Sequence, residues 1–492
     1  MNINSKNLVK ELVQPNIFDT KNQDFCVLTN VHNLPGVWRD ISRDTLNIGY
    51  LSRQETTESN ARSYPRKLPV AIEQAKGIFL KDVDGNVYYD CLSCAGALAL
   101  GHNHEVVHQA IEKSMHNNLP MQTLDITTPI KEAFVNEILN CLPEEFAKSA
   151  KIQFCGPSGS DAVEAAIKLV KIATGRNLIM AFQGGYHGMT NGALNLMGNT
   201  GVKNVVPGSI VDVQFLPFPY IYRCPMGSIN DPDGEATIRY IENVLTDVES
   251  GLPKPAGIIV EVIQGEGGMI PAPNKWVREL RRITYEQQIP LIFDEVQTGL
   301  GRTGKLFAFE HSGVVPDVLV LSKAIGGSLP LAVVVYSKDL DKWTPGVHAG
   351  TFRGNQLAMA TGTATIRYIK SNKLHEHADR MGNLFMQKLK EIKRHGISIG
   401  DVRGRGLMIG VEIIKNSSNL KNALPPKPFK SLALRIQREC FSRGLILETG
   451  GRESSVLRIM PPLIITENQV THICEIFEKA LLAAETKETN DL

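Results

Sequence analysis

Short apolar runs that hand over abruptly to polar residues set the pattern of this chain. Leu291, Ile292 and Phe293 lead into Asp294, Glu295 and Gln297, and Val318 to Leu321 leads into Ser322 and Lys323. Runs of this length that are apolar at every position, instead of alternating, predict strands buried on both faces of a sheet. From about residue 128 such runs alternate with helical spacing. Lys151 to Cys155 reads as a strand and is followed by a helix with Val163, Ala166, Ile167 and Val170 on one face; Ala256 to Ile263, with Glu261 inside it, reads as another strand. The alternation predicts an α/β domain with a largely parallel sheet. Ligands of such sheets gather beyond the carboxyl ends of the strands, which puts Asp294 and Lys323 in one crevice.

The flanking segments differ. Residues 1–66 form a polar leader, whose few apolar side chains are expected to do no more than cover a neighbouring surface. Leu68 to Asp90 alternates strand-like segments with the turn Asp84-Gly85-Asn86, a hairpin signal, and Glu105 to Met115 has helical spacing. Past residue 370, amphipathic stretches (Leu384 to Lys393, Leu432 to Phe441) alternate with short strands (Met408 to Ile414, Gly444 to Leu447, Val456 to Ile459), and Glu485 to Leu492 reads as a frayed polar tail. The domain organisation expected is an extension over 1–66, a first part of a smaller domain over 67–127, a large domain over 128–370 and the second part of the smaller domain over 371–492.

Composition narrows the function. The chain has 492 residues and a net charge of +2 from 53 basic and 51 acidic side chains, so nothing favours nucleic acid or a membrane surface, and a small-molecule substrate is expected. Apolar runs such as Leu329 to Tyr336 fall far short of a membrane span, and the amino terminus has no apolar core of a secretory signal. Eight irregularly placed cysteines make a poor disulfide framework, which points to reduced thiols and the cytoplasm. Cys91 and Cys94 have C-x-x-C spacing without a second pair and are expected to be buried and structural; His102, His104 and His108 lack a carboxylate or thiol to complete a ligand set, and no metal is expected.

The candidate chemistry lies at strand ends. A lysine desolvated in a crevice can lose its proton readily enough to attack a carbonyl and form a Schiff base, and a nearby aspartate can hold a pyridinium nitrogen. Lys323 with Asp294 therefore reads as a signature of pyridoxal phosphate (PLP), the alternative being a lysine snorkelling at a strand end with its charge in water. Gly156 to Ser160, between a strand and a helix, offers a phosphate cradle or, equally, a turn in which Ser160 or Asp161 caps the helix. Tyr186 and His187, flanked by glycines, present rings on which a flat cofactor could stack.

Taken together, G-P-S-G-S-D-A at 156–162, G-Y-H-G at 185–188, Q-G-E-G-G at 264–268, D-E-V-Q-T-G-x-G-R-T-G at 294–304, S-K-A-I-G-G at 322–327 and T-F-x-G-N at 351–355 resemble the class III, or ω-, aminotransferases of PLP fold type I. The resemblance spans roughly residues 67–475. It implies an α/β fold with a mostly parallel seven-stranded sheet in the large domain and a smaller α+β domain from both chain ends. It implies PLP bound covalently to Lys323, which also shuttles the proton, and Asp294 on the pyridine nitrogen. Gln297 would contact the phenolic oxygen, Gly159 and Ser160 the phosphate, and Tyr186 the ring, with His187 among the cofactor-binding residues. Thr351 would reach the phosphate from the other subunit, so a homodimer with composite sites is implied. Arg458 would bind the α-carboxylate of glutamate or 2-oxoglutarate, and Glu266 would pair with it when that carboxylate is absent.

Strings at 58–66, 186–190 and 350–360 point, within the family, to transfer of the 4-amino group of L-2,4-diaminobutyrate to 2-oxoglutarate. Other ω-amine donors (ornithine, acetylornithine, 4-aminobutyrate) are the alternatives, as is an aminomutase or racemase on the same fold. Family members acting on 4-aminobutyrate hold its distal carboxylate with an arginine where this chain has Met189, which cannot do so. Arg353 is the candidate replacement.

Overall fold

The computed structural model describes residues 45–206, 212–227, 230–396, 398–415 and 426–490, with side chains to 486. Most of the leader, including Cys26, lies outside these residues. Its described end forms a helix, Leu46–Thr57, and what docks it is a polar side chain, not an apolar one. Asn47, buried, donates to Asp82 and Asp84 and accepts from the Ala71 amide at 2.6 Å, which fastens the helix to the predicted hairpin. That hairpin consists of β2 (Phe79–Asp82) and β3 (Val87–Asp90), with β1 (Ile72–Lys76) antiparallel to β2.

The central sheet contains β4 (Ala150–Phe154), β5 (Ile179–Phe182), β6 (Val213–Leu216), β7 (Gly257–Val260), β10 (Leu291–Asp294), β11 (Val318–Leu321) and β12 (Val333–Ser337), in the order β4-β12-β11-β10-β7-β5-β6. Between β7 and β10 lies a small ribbon, β8 (Ile263–Gln264) with β9 (Ile270–Pro271). Glu261 therefore falls just past the end of a strand, not inside one. All sheet neighbours are parallel except β12, which is antiparallel to both β11 and β4. The cause is local: the segment from Ser322 to Ala332 contains Lys323 and is too short for the crossover that a parallel partner needs. Helix Gly159–Thr174 covers one face, setting Val163, Ala166 and Val170 against Ile259, Ile292 and Val320. Burial on both faces is why these strands are apolar throughout.

The rest of the chain supplies β13 (Ile399–Arg405), β14 (Met408–Ile413), β15 (Leu445–Ile446), β16 (Glu448–Gly450) and β17 (Val456–Ile459). β13, β14, β17 and β16 form an antiparallel sheet, whereas β15 adds to β3, so the sheet begun near residue 72 is completed from the far end of the sequence. Two helices are longer than their sequence patterns suggest. Leu374–Lys393 starts ahead of Leu384 because Leu374, Ala378 and Met381 extend the buried stripe between polar neighbours. Glu467–Asn490 runs through the segment expected to be a frayed tail, and Glu485 accepts from the Ser398 amide at 3.1 Å. Among the described residues no helix is long and apolar enough to cross a membrane.

Candidate active site

The carboxyl ends of β5, β7, β10 and β11 and the amino end of helix Gly159–Thr174 converge on a cavity of about 210 Å³, lined by Ser160, Tyr186, Glu261, Glu266, Asp294 and Lys323 among others. Lys323 stands two residues past the end of β11 and has a left-handed backbone (φ +50°), a conformation uncommon outside glycine that marks a constrained position. Burial pulls its pKa below the ordinary 10.5, with Glu266 and Asp294 acting in the opposite direction. Its amine is thus easier to deprotonate than a surface lysine's.

Asp294, at the end of β10, is fixed at both oxygens. One meets His187 Nδ1 at 2.7 Å and the other accepts from the Val296 amide at 3.0 Å. His187 is buried; burial lowers its pKa, but the bond to Asp294 and that charge outweigh it, so the net shift is upward. His187 thus supports the aspartate, while Tyr186 next to it keeps its ring partly exposed on the cavity wall. One carboxylate holds both neighbouring loops. Glu261 accepts from the Tyr186 amide at 2.8 Å and from the Gly265 amide at 2.9 Å, and burial raises its pKa to about 7.

The helix cap is neither Ser160 nor Asp161. Ser158 caps, accepting from the Ser160 amide at 3.2 Å, while Asp161 turns back to accept from Gly156 at 2.6 Å. This leaves the Ser160 hydroxyl in the cavity wall, where it accepts from the Met189 amide at 3.2 Å.

Arg458, on β17, is fully buried between two carboxylates, Glu266 and Glu448. Burial opposes its charge, but both partners outweigh that and raise its pKa. The sequence offers Arg458 and Glu266 but not Glu448. Its signal is the antiparallel register of β16 and β17, which sets Glu448 opposite Arg458, and it becomes visible only when that hairpin is known. Lys67 reaches Glu448 at 3.5 Å.

Three candidates do not line the Lys323 cavity: Arg458 is fully buried and meets it only through Glu266, and two others lie elsewhere. Thr351 is exposed and Arg353 is paired with Asp125 at 2.5 Å and with the His348 carbonyl at 2.9 Å; neither lines the Lys323 cavity. The Cys91–Cys94 pair also divides: Cys91 is buried, but Cys94 is exposed. The histidines flagged above have local partners: His102 with Asp90, His104 capping its helix at the Val106 amide, and His108 with Asn103.

The residues present fit PLP. A Cβ on Gly159 would come within 2.9 Å of Val296, so only glycine fits the turn facing the cavity without displacing that side chain. Gln297 donates to the Ala95 carbonyl at 3.0 Å, and its buried Oε1 has no partner among the described residues. A buried aspartate, an easily deprotonated lysine and the start of a long helix supply partners for pyridinium, aldehyde and phosphate. Fold and site together define a PLP-dependent enzyme of fold type I.

The chain belongs to the class-III aminotransferase family, whose pattern it matches over residues 60–481. It is 51% identical over 435 residues to a diaminobutyrate–2-oxoglutarate aminotransferase of Rhizobium meliloti (strain 1021), covering 88% of this chain and 92% of that one. A protein of the same name from Haemophilus influenzae is 47% identical over 437 residues, covering 88% and 95%. Among solved structures, a transaminase from the marine bacterium Virgibacillus has the same fold (TM-score 0.79, 24% identity, 89% of this chain and 99% of that one). So has the ornithine aminotransferase of Toxoplasma gondii ME49 (TM-score 0.74, 24% identity, 91% and 97%).

Proposed function

We propose that this aminotransferase moves the 4-amino group of L-2,4-diaminobutyrate to 2-oxoglutarate, giving L-aspartate 4-semialdehyde and L-glutamate, reversibly. The observation that carries this is Glu266 in the cavity wall, paired with the fully buried Arg458. The two substrates differ beside the reacting carbon: 2-oxoglutarate has a carboxylate there and the ω-amine end of the donor has none. An arginine with a displaceable carboxylate suits both, because an unpaired buried charge is costly. The names of the two relatives above, from Rhizobium meliloti and Haemophilus influenzae, support the choice of donor and acceptor.

When bound, PLP supplies an electron sink for the bond broken at the substrate carbon. The remaining work belongs to side chains. Lys323 would carry the cofactor, and its amine would hold and return the substrate proton; Asp294, steadied by His187, would keep the pyridine nitrogen protonated. Gly159 and Ser160 would hold the phosphate, Tyr186 the ring and Gln297 the phenolic oxygen. Thr351, exposed and outside its own cavity, suits a contribution to a second subunit's phosphate site and hence a homodimer with composite sites. The division into a large domain over 128–370 and a smaller one from 67–127 and 371–492 is consistent with the sheet that joins β15 to β3. Unpaired cysteines throughout the described residues support a cytoplasmic setting.

A donor panel tests the proposal: diaminobutyrate should be converted with ping-pong kinetics and preferred over ornithine and 4-aminobutyrate. Preference for either of those would overturn it. Glu266→Gln should slow the half-reaction with diaminobutyrate about tenfold, leaving that with glutamate within about threefold. The loss is no larger because Glu448 still compensates Arg458. Stopped-flow half-reactions measure both, and equal slowing would refute the displaceable pairing.

A further inference from the structure

Beside the Lys323 cavity lies a larger one of about 650 Å³, and the two share Tyr186 and Glu266 in their walls. Met189 lines the larger cavity, where it offers no carboxylate partner. The cations that line it are Lys67, already drawn to Glu448, and Arg452. The Arg452 side chain donates a single hydrogen bond among the described residues, a long one of 3.5 Å to the Gln183 carbonyl, and its guanidinium lies 5.9 Å from the centre of the Tyr220 ring, so most of its donors are uncommitted. Glu412, which acts on it electrostatically, is itself paired with Arg223 and Arg403.

The surroundings are shaped to this arginine. Its guanidinium lies on Gly184, where a Cβ would stand 2.9 Å from Cζ and where φ is +82°. The turn that carries it is tied to the Gln264–Gly268 loop, since the Gly451 amide donates to the Glu266 carbonyl at 2.8 Å, and it is closed by Ser455 Oγ on the Arg452 carbonyl at 2.8 Å. Glu453 follows, exposed in the same cavity wall, with a left-handed backbone at φ +55° that a non-glycine residue adopts only when its surroundings require it.

Substrate chemistry says what such a pair would bind. In diaminobutyrate the reacting C4 is separated from carboxylate C1 by the same number of bonds as the reacting C2 of 2-oxoglutarate is from carboxylate C5. One cation can therefore anchor the distal carboxylate in both half-reactions. Only the donor carries an ammonium beside that carboxylate. We infer that Arg452 and Glu453 form the distal subsite: Arg452 takes the far carboxylate of both substrates, and Glu453 reads the α-ammonium of the donor. The Glu453 half rests on diaminobutyrate being the donor. The Arg452 half rests only on the use of 2-oxoglutarate.

Kinetics and calorimetry on the full-length holoenzyme test this. Arg452→Met should raise KM for diaminobutyrate and for 2-oxoglutarate about 10- to 100-fold, and weaken binding of the unreactive dicarboxylate glutarate by the same factor. kcat should stay within about threefold, and Arg452→Lys should regain part of the loss. Unchanged glutarate binding, or a fall in kcat alone, would overturn the assignment. Glu453→Gln should raise KM for diaminobutyrate about two- to fivefold and leave 4-aminobutyrate and 2-oxoglutarate unaffected; an equal change with 4-aminobutyrate refutes the ammonium contact. A wild-type enzyme that refuses diaminobutyrate ends the proposed donor and the Glu453 half with it, while glutarate binding still decides Arg452.

Discussion

Lys323→Ala is expected to lower turnover by at least about a thousandfold and to remove the visible absorbance of covalently held cofactor. In the proposed mechanism Lys323 combines two tasks that no neighbour can take over. It is the only lysine in the wall of its cavity among the described residues, and burial keeps its amine below the usual pKa, ready to act as a nucleophile and a base. Added methylamine should restore some activity, because the missing group is an amine at a site with room for one. Absorbance spectra and single-turnover rates of the purified variant check this. Turnover within tenfold of wild type would show that Lys323 is not the cofactor lysine.

Much of this site is legible in the sequence because the fold places chemistry at strand ends. The uniformly apolar runs before Asp294 and Lys323 announce buried parallel strands, and these two strands are indeed neighbours, with Asp294 opposite Val320. The Gly156–Ser160 turn, the ring-bearing loop and the Gln264–Gly268 loop read equally well, since each is a glycine cluster following an apolar run. What escapes the sequence are contacts made across elements. Glu261 looks like a strand residue, yet just past the strand it accepts from two loops. Glu448 stands ten residues before Arg458 with nothing local to join them; only antiparallel register brings them together.

The histidine of G-Y-H-G shows a subtler limit. Sequence proximity suggests that Tyr186 and His187 do similar work, but a loop with successive residues facing opposite ways exposes one ring to the cavity and buries the other against Asp294. Arg353 is the converse case: the sequence recommends it for a distal carboxylate, and in its own chain Asp125 already occupies it. Charge type along a sequence says what a residue could bind, and the fold decides whether a partner has been supplied already.

Asp294→Asn should reduce kcat in both half-reactions by roughly a hundredfold or more, the scale of losing a preorganised electrostatic partner in a buried site. A carboxamide cannot supply the charge that holds the pyridinium proton, and the neutral hydrogen bond left behind is weaker. The change should also be visible away from catalysis. In the wild type, Asp294 raises the His187 pKa against the pull of burial, so the pair contributes stability fully below the ordinary histidine value of 6.5, and that stability is lost as pH rises through the raised value. In Asp294→Asn, burial acts unopposed by that charge, His187 stays neutral, and this part of the pH dependence disappears. The melting temperature of the wild type should therefore fall over that interval while that of the variant stays flatter. Parallel slopes would mean that the two side chains are not coupled, and that His187 does not steady the aspartate proposed to hold the pyridine nitrogen.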